Sequence, residues 1–215
     1  MHDQLVVAYV YVARHGETTW NAQGRYQGRQ ESQLSELGVR QAYALAQALV
    51  GRGVKRIISS PLMRCAATAA PCAQRLGIPI ELDERLIEIA HGTWEGRYRD
   101  EIERDDAARY RSWREDPALL TFDGGESVVN VLKRWRSFAA DFLATEDALI
   151  MTHDVVVRMA LIQSAGGELQ TFWQRRVANC AFAVFDVRGH RWLLEQECVS
   201  QHMSGIAADA SRQAL

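Results

Sequence analysis

Arg14 and His15 stand side by side at the end of an apolar run, in the stretch ARHGETTWNAQGRYQG at 13–28. Arg64 lies one helical turn beyond Ser60, and His153 closes another apolar run, DALIMTH at 147–153. A guanidinium fork spans two oxygens of a phosphate or carboxylate. An imidazole with one bare ring nitrogen is a nucleophile toward phosphorus, provided that an acceptor such as a backbone carbonyl holds the proton on the other nitrogen. Two arginines and two histidines in one pocket make a cationic cup. Its natural guest is a phosphoryl group, whose developing charge the guanidiniums offset.

The elements around these residues must bring them together. Segment 5–13 (LVVAYVYVA) is β-branched, aromatic and apolar, and reads as a buried parallel strand. RIISS at 56–60 and DALIMTH at 147–153 read the same way, and IPIEL at 78–82 reads as an extended strand. Leu37, Ala44, Leu45, Ala48 and Leu49 fall at helical spacing over 36–50, with Ser35 as N-cap and Gly51 at the end. A second helix is expected from Ser60 as cap and Pro61 in the first turn to about Leu76, kinked or split at Pro71. Helices are also expected over 127–144 and over 155–164, the latter closed by Gly166 and Gly167. Residues 180–198 read as a hairpin around Arg188-Gly189-His190.

Strands alternating with helices predict an α/β fold, a three-layer αβα sandwich with a mostly parallel central sheet and helices on both faces. Ligands in such sheets sit beyond the C-terminal strand ends. Three strand exits therefore deliver Arg14-His15, Ser60 with Arg64, and His153 to one edge. Helix N-termini near Pro61 and Asp154 add backbone donors and positive dipole ends.

The 215 residues, 47% hydrophobic, fit one domain over 1–200, with a polar tail at 201–215 expected to fray. A net charge of −2 gives no reason to expect a nucleic acid partner. Among 25 basic residues only Lys55 and Lys133 are lysines, which suits an anionic ligand but equally suits a solvated surface. Cys65, Cys72, Cys180 and Cys198 form no metal-like spacing and read as free thiols of a reducing compartment. The apolar start is too short for a signal peptide or a membrane span, so the expected location is cytoplasmic. His15, His91 and His153 show no HxxxH or HxH pairing, and no metal or other cofactor is expected. A homodimer, packed through the 180–198 hairpin, is left open.

Six blocks then align with a known group. RHGET (14–18), NAQGRYQG (21–28), SSPLMRCAATA (59–69), LIEIAHGTWEG (86–96), GGES (124–127) and MTHDVVVR (151–158) fall in the order and spacing of the histidine phosphatase superfamily, the phosphoglycerate-mutase-like clan, over roughly 8–187. The resemblance implies that His15 is the phosphorylated nucleophile, that Arg14 and Arg64 clamp the phosphate, and that His153 hydrogen-bonds it in the transition state. It implies that Glu88 protonates the leaving alkoxide and then deprotonates water, with Glu95, Asp123 and Asp154 as competing carboxylates. Asn21 resembles a phosphate-contacting loop residue, with Thr18 and Gln27 as further lining candidates. His91 reads as pocket wall.

A proton donor at neutral pH needs a raised pKa, which nearby arginines oppose and burial supports. Many relatives carry glycine after the second histidine. Asp154 takes that place here and is expected to cap helix 155–164 from outside; the alternative is that it points inward and selects a substrate carrying a positive or hydroxyl group. The insertion over 97–123 carries Arg97, Arg99, Arg104, Arg109, Arg111 and Arg114 with Tyr110 and Trp113. It reads either as a lid over the site or as a solvated helix pair with its arginines matched to Glu101, Glu103, Asp105 and Asp106. The compact IEIAHGTWEG block resembles the small phosphatase branch, which includes α-ribazole-phosphatase-like and broad-specificity enzymes. The implied activity is hydrolysis of a small phosphorylated molecule. The alternatives are a phosphoglycerate-type mutase and a non-catalytic phosphate-ligand-binding regulator.

Overall fold

The computed structural model describes residues 7–209, 211, 213 and 214. Leu5 and Val6, the start of the expected first strand, lie outside them. Among the described residues, six strands form one sheet in the order β3-β2-β4-β1-β5-β6. They are β1 (Val7–Arg14), β2 (Arg56–Ser59), β3 (Ile80–Leu82), β4 (Ala148–Thr152), β5 (Phe182–Arg188) and β6 (Arg191–Val199). β1 to β4 run parallel to one another, while β5 and β6, the expected hairpin, run antiparallel on the far side of β1.

The register decides where chemistry can occur. Met151 of β4 is level with Ala13 of β1 and with Ser59 of β2. The three strands therefore end together, and the residues following them, His15, Ser60 and His153, emerge at one edge. Phe182 opens β5 opposite Ala13. The turn before it, carrying Asn179 and Cys180, consequently lies at the same edge.

The alternation of side chains along β1 divides the core. Val10 and Val12 face a layer built on α6 (Val128–Asp141) and α7 (Asp154–Ser164), with Ile58, Ile150 and Phe185 on the same side. Tyr11 and Ala13 face the opposite layer, α2 (Glu36–Ala48) and α3 (Met63–Leu76), with Ile57, Leu149 and Met151. A two-residue period with both faces covered is what a buried parallel strand requires. The short α1 (Thr19–Gln23) follows the first strand exit. α4 (Arg99–Asp105) and α5 (Ala107–Glu115) extend the first layer, burying Ile102 and Trp113.

Two expected helix features differ. α3 begins at Met63 with Leu62 as its cap, not at Ser60 and Pro61. The Ser60 hydroxyl is 2.8 Å from His153 Nε2, so this side chain serves the strand edge instead of the helix start. Pro71 sits inside α3 without splitting it. The helix is held along its length by packing on α2, and tertiary contact of this kind overrides the local cost of a missing backbone donor.

α2 presses directly on the loop after β1. Ser35, its N-cap, accepts from Gly38 N and donates to Glu17 Oε1 at 2.6 Å. A Cβ at Gly38 would stand 1.9 Å from Glu17 O, a contact only glycine escapes. Gly38→Ala should therefore lower stability by about 1–3 kcal/mol, as overpacking does, and reduce turnover by displacing the His15 loop. Urea denaturation and kcat/KM measured on the same preparation check both effects.

Candidate active site

A small cleft opens at the shared strand edge, and Arg14, His15, Arg64 and Glu88 line it. Asn21 and Gln27 line it as well, from the loop after β1. Thr18 does not reach it. Its hydroxyl is 2.9 Å from Gln27 Oε1 and accepts from Asn21 N, so it fixes the two side chains that do.

His15 follows β1 with its backbone tied to both neighbouring strands. Its N–H donates to Thr152 O at 2.9 Å, and its carbonyl accepts from Asn179 Nδ2 at 3.1 Å. Its Nδ1 lies 2.7 Å from Gly16 O. A carbonyl can only accept, so Nδ1 carries the proton and Nε2 is left with a free lone pair. Burial, then the positive charges of Arg64 and Arg14, hold the imidazole well below the usual histidine range. The ring is therefore neutral at neutral pH, which is the state a nucleophile needs.

Arg64 sits in the first turn of α3 with its side chain buried. Nη2 donates to Gly28 O at 2.7 Å, Nη1 to Gln30 O at 3.0 Å, and Nε to His153 Nδ1 at 3.2 Å. Because a guanidinium only donates, His153 Nδ1 is an acceptor, and Nε2 holds the proton it shares with Ser60. His153 lies behind the cavity wall, its ring centroid 5.2 Å from that of His15. Burial first, then Arg64, keep it neutral.

Glu88 comes from the loop after β3, which Thr152 anchors by donating its hydroxyl to Leu86 O at 2.6 Å. Its carboxyl accepts from Ile89 N at 2.9 Å. Burial, then the negative charge of Asp154, raise its pKa to about 7 against the opposing pull of Ile89 N–H, Arg64 and Arg134. The competition between burial and arginines is thus settled by burial. Of the competing carboxylates, Glu95 accepts from Arg29 N and His91 N in a turn, and Asp123 pairs with Arg109 at the surface.

Three further groups bear on this cavity; His91 was expected as pocket wall, and the other two were not expected there. Asp154 does not cap α7 from outside. His153 is the N-cap residue, and Asp154 is buried in the first turn, 3.4 Å from Arg14 Nη1 and 2.6 Å from Arg158 Nε. His91 lines the cavity with neither ring nitrogen hydrogen-bonded, wedged among Tyr26, Trp113 and Phe122. Burial lowers its pKa to about 3. Gly92 beside it has φ +55, and a Cβ there would stand 1.9 Å from Asp123 O, so this turn is locked against the 123–125 loop.

The third group corrects the expectation of a frayed tail. Gln213 and Ala214 are buried, and Ala214 lines the cavity. Gln213 Oε1 accepts from Arg14 Nη2 at 2.7 Å, and its Nε2 donates to Asn179 Oδ1 at 2.7 Å.

None of the arginines of the 97–121 stretch lines the cavity. Arg97 and Arg104 pair with Asp105, Arg109 with Asp106 and Asp123, and Arg114 lies over the Trp173 ring. The stretch reaches the site only through Trp113, which backs His91. No helix among the described residues is long and apolar enough to cross a membrane.

Comparison with known proteins agrees with this geometry. The sequence model of the histidine phosphatase superfamily (branch 1) matches residues 10–199. Phosphoserine phosphatase 1 of Hydrogenobacter thermophilus is 30% identical over 204 residues, covering 94% of this chain and 97% of that protein. A probable phosphoglycerate mutase of Yersinia pestis is 31% identical over 191 residues, covering 86% of this chain and 87% of the relative. The solved structure of Bacillus stearothermophilus YhfR superposes with a TM-score of 0.86 at 30% identity, over 91% of this chain and 99% of that one. The shared strand edge, with Arg14, His15, Arg64 and Glu88 around one cavity, thus has its explanation in descent: the chain belongs to the histidine phosphatase superfamily, branch 1, as a phosphoric monoester hydrolase of that type.

Proposed function

We propose that the enzyme hydrolyses a small, polar phosphomonoester through a phosphohistidine on His15. The observation that carries this reading is the His15 ring, with its Nδ1 proton held on Gly16 O and its Nε2 lone pair free beside two guanidiniums. Nε2 attacks phosphorus while Arg14 and Arg64 bind the non-bridging oxygens. The P–O ester bond breaks, and protonated Glu88 gives its proton to the leaving alkoxide. Water then attacks the phosphohistidine, and ionised Glu88 takes a proton from it. The P–N bond breaks, releasing phosphate and restoring the neutral imidazole. His153 turns its Nε2–H from Ser60 to a phosphoryl oxygen as charge accumulates.

The alcohol part of the ester faces His91, whose free ring nitrogens suit a polar group, and Ala214, which limits its size. The relative acting under the name phosphoserine phosphatase supports a small phosphorylated metabolite such as phosphoserine. The relative named as a probable mutase favours a second reading, return of the phosphoryl group to another hydroxyl. Assays of phosphoserine and 3-phosphoglycerate, each with and without a bisphosphoglycerate primer, separate the two. Phosphate release without primer supports the hydrolase, and primer-dependent isomerisation supports the mutase.

His15→Ala should abolish turnover and the acid-labile, base-stable label that phosphohistidine leaves after a rapid quench. Glu88→Gln should still take label from p-nitrophenyl phosphate, whose leaving group needs no proton, but should release it much more slowly than the native enzyme.

The pKa of about 7 at Glu88 fixes the pH dependence. The raised value keeps the acid form abundant below pH 7 and depletes it above. Label formation from an alkyl phosphate should therefore fall by about tenfold per pH unit above about 7, whereas formation from p-nitrophenyl phosphate should stay nearly level. Single-turnover measurements across pH 6–9 check this.

A further inference from the structure

We propose that Asp154 is a positioning residue of this site, anchoring the Arg14 guanidinium so that its remaining donors are kept for the phosphoryl group. The proposal rests on the phosphohistidine reading above. A carboxylate in a phosphate pocket is unfavourable by simple Coulomb repulsion, so its presence there needs a compensating use.

The geometry supplies one. Asp154 stands between two arginines, with Oδ1 accepting from Arg158 Nε at 2.6 Å and Oδ2 3.4 Å from Arg14 Nη1. Arg158 is itself immobilised. Its Nη1 donates to Phe172 O at 2.9 Å and to Arg175 O, and its guanidinium lies 5.1 Å from the centroids of both Phe172 and Trp173. Rigidity therefore passes from this cage through Arg158 and Asp154 to Arg14. On the other side, Gln213 holds Arg14 Nη2. Arg14 Nε is buried with no hydrogen-bond partner, and it is left over by the collar together with the second Nη2–H. Asp154 also lies at the N-terminal turn of α7, where the helix dipole favours a negative charge.

The same carboxylate bears on Glu88. Asp154 opposes ionisation of Glu88, while Arg14, Arg64 and Arg134 favour it, and His91 also feels the charge of Asp154. Asp154 thus contributes in two ways: it aims the clamp, and it keeps the acid protonated.

Asp154→Asn is nearly isosteric and separates these effects from mere support of the fold. Expected are a fall in kcat for an alkyl phosphate on the order of tenfold or more and a downward move of its alkaline limb by on the order of one pH unit. Inhibition by inorganic phosphate should hold or tighten, because a repelling charge is gone. Lower thermal stability with kcat and limb unmoved would overturn the proposal. Asp154→Glu serves if the asparagine variant does not fold. It keeps the charge but displaces Arg14, so kcat should fall with the limb unmoved, and an unchanged kcat would count against positioning. Absence of label on His15 in the native enzyme would instead refute the underlying reading, whatever the variants do.

Discussion

Two guanidinium groups buried beside each other set the terms for this molecule. Arg14 and Arg64 are each 1% exposed. Removing such an ion from water costs several kcal/mol even after relaxation, and two of them also repel. The fold meets that cost with oriented acceptors brought from many places. Arg64 takes two carbonyls of the 28–30 loop and a nitrogen of His153, and Arg14 takes Asp154, Gln213 and the carbonyl of Val177. The loop after β1, the start of α7, the approach to β5 and the 213–214 segment are consequently all fastened to one cationic centre. Loosening any of them would leave a buried charge short of partners.

The same burial sorts the titratable groups in opposite directions. Low polarity disfavours whichever form is charged, so it lowers imidazoles and raises carboxyls. His15 is held neutral and Glu88 is raised to about 7. On the proposed phosphohistidine route, a neutral imidazole and a protonated carboxyl are the pair that the first step uses at neutral pH. Both states follow first from the exclusion of water, with the charges of Arg64 and Arg14 adding to it at His15 and that of Asp154 at Glu88. Asp154 is the local correction, because without a negative charge nearby the arginines would pull Glu88 toward ionisation.

Much of this was legible in the amino-acid order, for a definite reason. β1, β2 and β4 carry apolar runs with a polar residue at their ends, and parallel strands in register expose those ends together. Arg14, His15, Arg64 and His153 could therefore be placed at one edge from local pattern alone. Glu88, Asn21 and Gln27 were reached only through resemblance, since a loop carries no period. Asp154 was misplaced because the first turn of a helix looks alike whether it faces solvent or a pocket, and burial of a carboxylate depends on an arginine four residues on and another from a different strand. Gln213 was invisible for a stronger reason. It meets Arg14 across 199 residues of chain, and its own neighbours are small and polar, as in a frayed end. Pro71 illustrates the converse, a strong local signal overruled by packing on both sides of α3.

These differences share a direction. What the strands deliver is the machinery for handling phosphorus, and it reads directly from residue type and spacing. What the structure adds comes from elements that meet only after folding: Ala214 from the far end and Asp154 through its ties to Arg158, beside His91, the expected wall residue. Those groups border the part of the cavity where the alcohol of an ester must lie, or adjust the donors that face phosphorus. On the proposed reading the fold thus divides two tasks: the reaction belongs to the sheet edge, and the choice of ester to the turn of His91 and the 213–214 segment beside it.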